Sequence, residues 1–218
     1  MNQPFPFQRR SGPPMSMILL GITVLMYFVQ VSSMSEVIGL FALWPLATPD
    51  LVRFADGTIL STGFAPWQLI SYGFLHGGLG HLFFNMFALY MFGLPVERVW
   101  GARRFLVYYF VCMVGAAVIQ LAFAAVTGDI YPTIGASGAI FGLLLAYGMM
   151  FPNSTIMLLI PPIPMKAKYF VIGYGLLTLF MGMTGTMAGV AHFAHLGGML
   201  FGFGLILYWG SRRSRGRF

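Results

Sequence analysis

Long apolar segments separated by short polar connections dominate the sequence. Six of them approach the roughly 20 residues that an α-helix needs to cross a bilayer. Because a helix satisfies its own backbone hydrogen bonds, it is the element that such segments form in lipid. The pattern predicts an all-α polytopic membrane protein with a bundle of six transmembrane helices, at Met15–Val31, Gly80–Pro95, Phe105–Val126, Ala136–Phe151, Tyr169–Thr184 and Val190–Trp209.

The fourth apolar segment is shorter than a bilayer is thick. From Ala136 to Phe151 it would span about 24 Å at ~1.5 Å per residue, against a hydrocarbon core of about 30 Å. Pro132 opposes an earlier helix start. Because lipid cannot satisfy the backbone that precedes the helix, we expect it to begin below the membrane surface, with a water-filled depression above Ser137.

The composition supports insertion into a membrane. Apolar residues make up 58% of the 218 residues, charged residues make up 8%, and the mean hydropathy is +0.82. A soluble domain of this size needs more charge to cover its surface. The net charge of +7 comes from Lys and Arg clusters beside the apolar segments. Such clusters indicate membrane topology and argue against a nucleic-acid partner.

The distribution of cations predicts the orientation of the chain. Eleven of the twelve Lys and Arg residues lie on one side of the membrane if both termini are cytoplasmic. We therefore predict cytoplasmic N- and C-termini, a short tail at 1–14, a membrane domain at 15–210 and a basic tail at 211–218. Arg9 and Arg10 before an apolar run are typical of a signal peptide. However, the run is almost long enough to span and no small-residue cleavage site follows, so we expect a retained first helix.

Polar residues inside the spans concentrate at one depth. In the predicted orientation, spans two, four and six all begin at the extracytoplasmic side. Near these three beginnings lie His81, Asn85, Ser137, His192 and His195. Scattered polar residues usually join helices to each other. A layer of them on alternate spans indicates a common site.

Ser137 opens the fourth span between Gly135 and Gly138. Taken alone, a serine at a helix start is most often an N-cap. The free N–H groups of the first turn and the helix dipole would also favour an anion beside Ser137, where a tetrahedral oxyanion could form. The small neighbours would let a substrate backbone approach.

His195 lies on a span with small residues at regular spacing. Spans six and four each carry a small residue at every fourth position: Ala194, Gly198 and Gly202, and Gly138, Gly142 and Ala146. Such stripes are ordinary in membrane helices. Two of them together predict close packing that would bring His195 to Ser137. Neutral imidazole can take a serine proton near pH 7, and no Asp or Glu lies at this depth, so a Ser-His dyad is predicted.

His76, His81 and Asn85 stand at the start of span two. His81 and Asn85 are four residues apart and therefore share one helix face. Aimed at Ser137, their side chains would donate hydrogen bonds to a developing oxyanion. Interhelical hydrogen bonding is an equally open interpretation of either residue alone.

Taken together and in order, these motifs resemble those of rhomboid intramembrane serine proteases. They are His-x4-His-x3-Asn, Gly-x-Ser-Gly and Ala-His-x-Gly-Gly-x3-Gly. The resemblance implies a six-helix rhomboid-like bundle in which Ser137 is the nucleophile and His195 is the base. It also implies an oxyanion hole formed by His81, Asn85 and the Ser137 backbone N–H. Positions that would support the site are His76, Gly135, Gly138, Gly198 and Gly202.

The resemblance carries further expectations and two departures. It implies that Glu97 helps to fix the end of span two and that span five forms part of a lateral gate. Gln68 stands where the family often has Arg, so the first loop could be anchored differently. His192 shares a face with His195 and competes with it as the base. We favour His195 because small residues follow it at the family spacing.

Other classes of membrane protein fit less well. A zinc protease would need His-Glu-x-x-His, and an aspartyl protease would need two intramembrane aspartates; the sequence has neither. Several histidines in one layer leave a metal-binding membrane protein or transporter open. A catalytically inactive rhomboid-like protein that binds membrane helices is a further alternative. We predict no metal and no cofactor.

The sequence therefore predicts an intramembrane serine endopeptidase. It would hydrolyse peptide bonds in or near transmembrane segments of other membrane proteins. Its partners would be transmembrane protein substrates and the lipid bilayer, without nucleic acid. We expect a multi-pass protein of a bacterial inner membrane.

Overall fold

The structure is a computed structural model that describes residues 12–53, 57, 59–158, 162–185 and 191–215. Most of the predicted N-terminal tail and the end of the predicted C-terminal tail lie outside these ranges. The predicted topology signals Arg9, Arg10 and Arg217, and the predicted start of span six at Val190, therefore fall on residues that are not described.

Nine α-helices occupy most of the described ranges. In chain order they are α1 (Met15–Ser32), α2 (Met34–Phe41), α3 (Gln68–Ser71), α4 (Leu79–Ala88), α5 (Leu94–Trp100), α6 (Ala102–Thr127), α7 (Ser137–Met150), α8 (Ala167–Thr184) and α9 (His192–Arg215). A 3-10 turn at Tyr72–Phe74 follows α3, and a π-helical turn at Leu89–Gly93 joins α4 to α5.

Two short antiparallel hairpins lie in the connections between helices. Between α2 and α3, β1 (Leu51–Arg53) pairs with β2 (Ile59–Ser61). Between α7 and α8, β3 (Thr155–Met157) pairs with β4 (Pro164–Lys166). Because neither hairpin belongs to a span, the membrane part of the fold is entirely helical in the described ranges.

The predicted all-α membrane fold is confirmed. Within the described ranges, five helical units are long and apolar enough to cross a membrane: α1, the continuous α4–α5 unit, α6, α8 and α9. The remaining predicted span is α7, an apolar helix of 14 residues. It is the shortest of the six, and it falls short of the bilayer thickness as the sequence predicts.

Two spans extend five or more residues beyond their predicted ends. The sequence predicts an end of span two at Pro95, but the helix continues to Trp100. Pro95 lies in the first turn of α5, directly after the π-helical turn, where its missing N–H and fixed φ are tolerated. Span six, predicted to end at Trp209, continues as helix to Arg215.

Helix α7 lies at the centre of the bundle. It is apolar on all sides, which is typical of a helix enclosed by others. It packs against α6, α8, α9 and the π-helical turn, and all residues from Gly138 to Leu144 are buried. In contrast, α1 and α8 expose large apolar side chains such as Leu25 and Phe180, which lipid would cover.

Buried polar contacts hold the first loop, which is the connection between α1 and α4, against the bundle. Gln68 is buried, its Oε1 accepts the Trp44 N–H at 3.2 Å, and its Nε2 donates to the Gly63 carbonyl at 3.0 Å. Leu43 then pairs with Thr133 through two backbone hydrogen bonds of 3.0 and 2.9 Å. A glutamine amide therefore anchors the loop here, and the loop supports the segment that leads into α7.

Glu97 joins the end of span two to the start of α1. Its buried carboxylate accepts the backbone N–H groups of Met15 and Ser16 and the Ser16 hydroxyl, each at 2.8 Å. These N–H groups belong to the first turn of α1, where a helix lacks internal acceptors and its dipole favours negative charge. The carboxylate therefore acts as an N-terminal cap supplied by another helix.

We expect Glu97→Gln to lower the free energy of unfolding by about 1–3 kcal/mol, because a neutral amide replaces charge-assisted hydrogen bonds at a buried helix start. The loss would appear as a lower melting temperature of the purified protein in detergent micelles. Glu36→Gln is the matched control, since Glu36 lies exposed on α2 and should leave the melting temperature nearly unchanged. Equal effects of the two substitutions would contradict the capping role of Glu97.

Candidate active site

Ser137 and His195 are in hydrogen-bond contact. The Ser137 Oγ lies 2.7 Å from the His195 Nε2, although 58 positions separate the two residues in sequence. Ser137 is the first residue of α7, and His195 is buried in the first turn of α9. Two helix starts therefore bring the hydroxyl and the imidazole together.

Close approach of α7 and α9 makes this contact possible. A side chain at Gly198 would overlap the backbone carbonyl of Gly138, and small residues are what allow membrane helices to approach so closely. Gly202, one turn further along α9, lies instead against Tyr108 and Cys112 of α6. The predicted small-residue stripe of span six therefore faces α7 at one turn and α6 at the next.

Phe141 holds the His195 ring and is a site residue that sequence reasoning missed. It stacks on the imidazole with ring centroids 4.2 Å apart and 7° between the ring planes. Phe141 also stacks on Tyr174 of α8 at 4.9 Å. An aromatic residue four positions after Ser137 shares its helix face, and this spacing is the signal that could have found it.

The segment before α7 turns sharply at Gly135. Its φ is +126°, and a Cβ built there would lie 2.8 Å from the His81 ring, so both the backbone conformation and the space favour glycine. The Gly135 N–H donates to the Tyr72 carbonyl at 2.9 Å. Gly135 thus lets the His81 ring lie directly beside the start of α7.

The hydrogen bond of His81 fixes the position of its proton. The His81 Nδ1 accepts the Gly77 N–H at 3.2 Å, so a neutral ring carries its hydrogen on Nε2. Nε2 is also a ring atom that lies close to Gly135. His81 is therefore prepared to donate a hydrogen bond to an oxygen placed beside Ser137.

Asn85 lies one helical turn after His81. Its Nδ2 donates to the His81 carbonyl at 2.8 Å. The residue is largely buried, and it lines the same cavity as Ser137. Because an amide nitrogen carries two hydrogens, the second N–H can serve a bound oxygen.

His76 is held by its backbone behind His81. Its N–H donates to the Gln30 Oε1 at 2.9 Å, and the Gln30 Nε2 donates to the His76 carbonyl at 2.8 Å. The His76 ring contacts the His81 ring edge-on, with centroids 5.0 Å apart. Burial, and then the neighbouring His81, lower the pKa of His76 to about 4. An uncharged ring therefore supports His81 at neutral pH.

A cavity of about 960 Å³ opens at the serine–histidine pair. Ser137, His195, His81 and Asn85 all line it, together with the approach segment 131–135. A volume in this range is typical of ligand-binding clefts. Among the described residues, none of those that line the cavity is Asp or Glu.

His192 lies one turn before His195 and is also buried. The two imidazole centroids are 6.3 Å apart, and the ring nitrogen at 2.7 Å from the Ser137 Oγ belongs to His195. Across the part of the chain that the structure describes, no three His, Cys, Asp or Glu side chains are grouped so that they could hold a metal ion.

The bundle and its cavity define an integral membrane protein with a serine–histidine pair at the starts of two neighbouring helices. The Rhomboid domain family matches residues 64–212, a range that contains Ser137, His195, His81 and Asn85. The chain therefore belongs to the rhomboid family.

Rhomboid proteins of several organisms are similar to this chain. Identity to RHOMBOID-like protein 4 of Arabidopsis thaliana is 35%, over 63% of this chain and 32% of that protein. Identity to the Rhomboid protease GluP of Bacillus subtilis is 30%, over 72% of this chain and 29% of that protein. Identity to the mitochondrial Rhomboid protein 1 of Saccharomyces cerevisiae is 29%, over 76% of this chain and 48% of that protein. The chain thus spans less than half the length of these relatives.

We expect Gly198→Ala to move α9 away from α7, because the added methyl group would overlap the Gly138 carbonyl. The Ser137–His195 contact would lengthen, and labelling of Ser137 by a fluorophosphonate should slow by about tenfold or more. Gly204→Ala is the control, since Gly204 lies in α9 with open space around it. The labelling rates are measured by mass spectrometry. Equal rates in the two variants would show that reactivity of Ser137 does not need the close approach of α7 and α9.

Proposed function

We propose that this chain is a serine-type intramembrane endopeptidase that hydrolyses peptide bonds in or near transmembrane segments of membrane proteins. The observation that carries the proposal is the 2.7 Å contact between the Ser137 Oγ and the His195 Nε2, at a cavity within the helical bundle. Similarity to the Rhomboid protease GluP supports the same class of reaction.

In the first step, His195 accepts the Ser137 hydroxyl proton on Nε2 while the Oγ attacks the substrate carbonyl carbon. The π electrons of the carbonyl move onto its oxygen and give a tetrahedral oxyanion. The His81 Nε2–H and the second Asn85 N–H would donate to this oxygen. The Ser137 backbone N–H is a third donor, because the first turn of α7 lacks a side-chain cap in the described structure.

In the second step, collapse of the tetrahedral intermediate breaks the C–N bond. The His195 imidazolium gives its proton to the departing amine and leaves an acyl ester on Ser137. Water then attacks this ester with His195 again as the base. Release of the carboxylate product restores the Ser137 hydroxyl.

His195 works without an acidic partner in this proposal, so other contacts must fix its ring. The parallel stack on Phe141, at 4.2 Å, restrains the plane of the imidazole. Phe141 is itself buried in α7. A restrained imidazole needs less reorganisation on the way to the transition state.

We further propose that both termini are cytoplasmic and that Ser137 lies near the extracytoplasmic surface. Eleven of the twelve Lys and Arg residues agree with this orientation. The exposed Arg103 and Arg104 begin α6, which places them at the end of the bundle opposite Ser137. We propose a bacterial inner (plasma) membrane as the location, in line with the similarity to a protein of Bacillus subtilis.

Substitution of the dyad should abolish proteolysis. In liposomes with a model transmembrane substrate, Ser137→Ala and His195→Ala should each lower kcat/KM by at least about 1,000-fold, because each removes a partner of the proton transfer. His192→Ala is the matched control, since it removes a buried histidine of the same helix whose ring centroid is 6.3 Å from that of His195. It should keep at least about a tenth of the activity.

Other outcomes of that experiment would change the proposal. Full activity of His195→Ala beside an inactive His192→Ala would transfer the role of base to His192. If the unmodified protein binds the transmembrane segment but never cleaves it, the rhomboid-like helix-binding alternative replaces the protease.

Activity should fall as the pH decreases. A protonated imidazole cannot accept the Ser137 proton, so kcat/KM should drop in acid and reach a plateau toward alkaline pH. The profile is measured on the liposome assay, and the melting temperature at each pH separates unfolding from loss of catalysis. A rate that stays constant down to the pH at which the protein unfolds would argue against a histidine base.

A further inference from the structure

A column of nearly parallel aromatic rings begins at the His195 imidazole. The imidazole stacks on the Phe141 ring of α7, with centroids 4.2 Å apart and 7° between the ring planes. The Phe141 ring also stacks on the Tyr174 ring of α8, at 4.9 Å and 21°. Phe141 is therefore in stacked contact with the imidazole and with a phenol ring at the same time.

The column continues beyond Tyr174 into two further rings. Phe170 lies one turn before Tyr174 on α8 and stacks on it at 5.6 Å and 17°. Phe170 in turn stacks on Phe92 of the π-helical turn at 6.3 Å and 17°. Both distances lie within the range of interacting aromatic pairs. The column therefore joins the start of α9 to α7, α8 and the π-helical turn.

Helix α8 supplies two rings of this column, although it is the least buried of the five long spans. Its buried residues are Ala167, Val171 and Thr178, whereas large side chains such as Leu176 and Phe180 are exposed. A helix with few buried contacts is held weakly in place. The stacked rings therefore link the orientation of the imidazole to the position of a weakly held helix.

We propose that Tyr174 is a positioning residue for the catalytic histidine: its ring holds Phe141 in place, and Phe141 holds the His195 imidazole in the plane from which it accepts the Ser137 proton. The inference rests on the proposed function, because it assigns a role in aligning that base. In a catalytic triad, a buried carboxylate orients the imidazole. Within the part of the chain that the structure describes, no Asp or Glu lines this cavity, so ring contacts perform that task here.

A contact with the substrate is the alternative role for Tyr174. The residue is 41% exposed and lines the cavity, so its ring or its hydroxyl could touch a bound peptide. The two roles predict different kinetics. Loss of alignment lowers kcat and the reactivity of Ser137 toward a small reagent without a transmembrane segment, whereas loss of a substrate contact raises KM.

The first test compares two substitutions of Tyr174 in the full chain. In liposomes with a model transmembrane substrate, Tyr174→Leu should lower kcat about five- to tenfold and keep KM within about twofold, because the ring contact is lost. Labelling of Ser137 by a fluorophosphonate should slow by a similar factor. Tyr174→Phe keeps the ring without the hydroxyl and should rescue most of both losses. Equal losses in the two variants would overturn the inference.

Phe180→Leu is the matched control on the same helix. Phe180 is an aromatic residue of α8 that is 62% exposed and does not line the cavity. Its substitution should leave kcat and the labelling rate within about twofold of the unmodified values. A loss equal to that of Tyr174→Leu would show a general effect of altering α8 and would overturn the specific role of Tyr174.

A double-mutant cycle tests whether Tyr174 acts through Phe141. Phe141→Leu alone should lower kcat about tenfold, because the imidazole loses its stacked partner. In that background, Tyr174→Leu should lower kcat by less than about a further twofold, since the ring that Tyr174 holds is already absent. Losses that multiply fully would show that the two residues act independently and would overturn the inference.

Nuclear magnetic resonance follows the imidazole without any substrate. The chain has four histidines, so the ring signals of protein labelled with 13C- and 15N-histidine can be assigned by single substitutions. The carbon-bound ring protons of His195 should be shifted upfield, because the imidazole lies over the face of Phe141. In Tyr174→Leu these signals should move toward their position in Phe141→Leu, and in Phe180→Leu they should not move.

The spectra separate a failure of this inference from a failure of the proposed function. Unchanged His195 signals in Tyr174→Leu, or a raised KM with an unchanged kcat, overturn the inference. If the unmodified protein neither cleaves the substrate nor reacts with the fluorophosphonate, the protease proposal fails. Shifted His195 signals in Tyr174→Leu would then still establish that Tyr174 positions the imidazole.

Discussion

The site depends on the contact between two helix backbones. At Gly198 and Gly138, α9 and α7 approach until no side chain fits between them. Lipid tails are as apolar as the side chains they surround, so association of membrane helices relies on close packing of this kind. One turn away, the same approach sets the 2.7 Å distance between the Ser137 Oγ and the His195 Nε2. A wider spacing of α7 and α9 would keep Ser137 and His195 at the same positions on their helices but separate the two side chains.

Polar groups elsewhere in the bundle form hydrogen bonds mainly with backbone groups. Gln30 hydrogen-bonds both backbone groups of His76, and the Tyr72 carbonyl accepts the Gly135 N–H. An unsatisfied polar group is costly in an apolar medium, so each such pair holds one segment at one position. Together these bonds orient the two segments that converge on Ser137, the start of α4 and the approach to α7. The first loop also helps to position the approach to α7, because its Leu43 pairs with Thr133.

Features carried by periodicity and spacing could be predicted from the sequence, and features created by distant packing could not. The spans, the short α7 and the association of Ser137 with His195 follow from apolar runs, helix length and small-residue stripes. Pro95 does not end its span, because a π-helical turn places it in the first turn of a new helix. The capping of α1 by Glu97 joins residues about 80 positions apart, and β3–β4 is too short to leave a periodic signal. No local pattern encodes either.

The length of α7 reconciles two requirements that oppose each other. The proposed hydrolysis needs water and polar donors, whereas holding a membrane-spanning substrate would need a continuous apolar surface. With 14 residues, α7 covers about 21 Å at ~1.5 Å per residue, less than a hydrocarbon core of about 30 Å. Ser137 can therefore begin the helix below one surface, among the polar side chains of α4 and α9. Past the other end of α7, β3 extends the apolar wall to Met157. A longer central helix would carry its first residue toward the headgroups, where water is plentiful but an apolar segment would lie outside the hydrocarbon core.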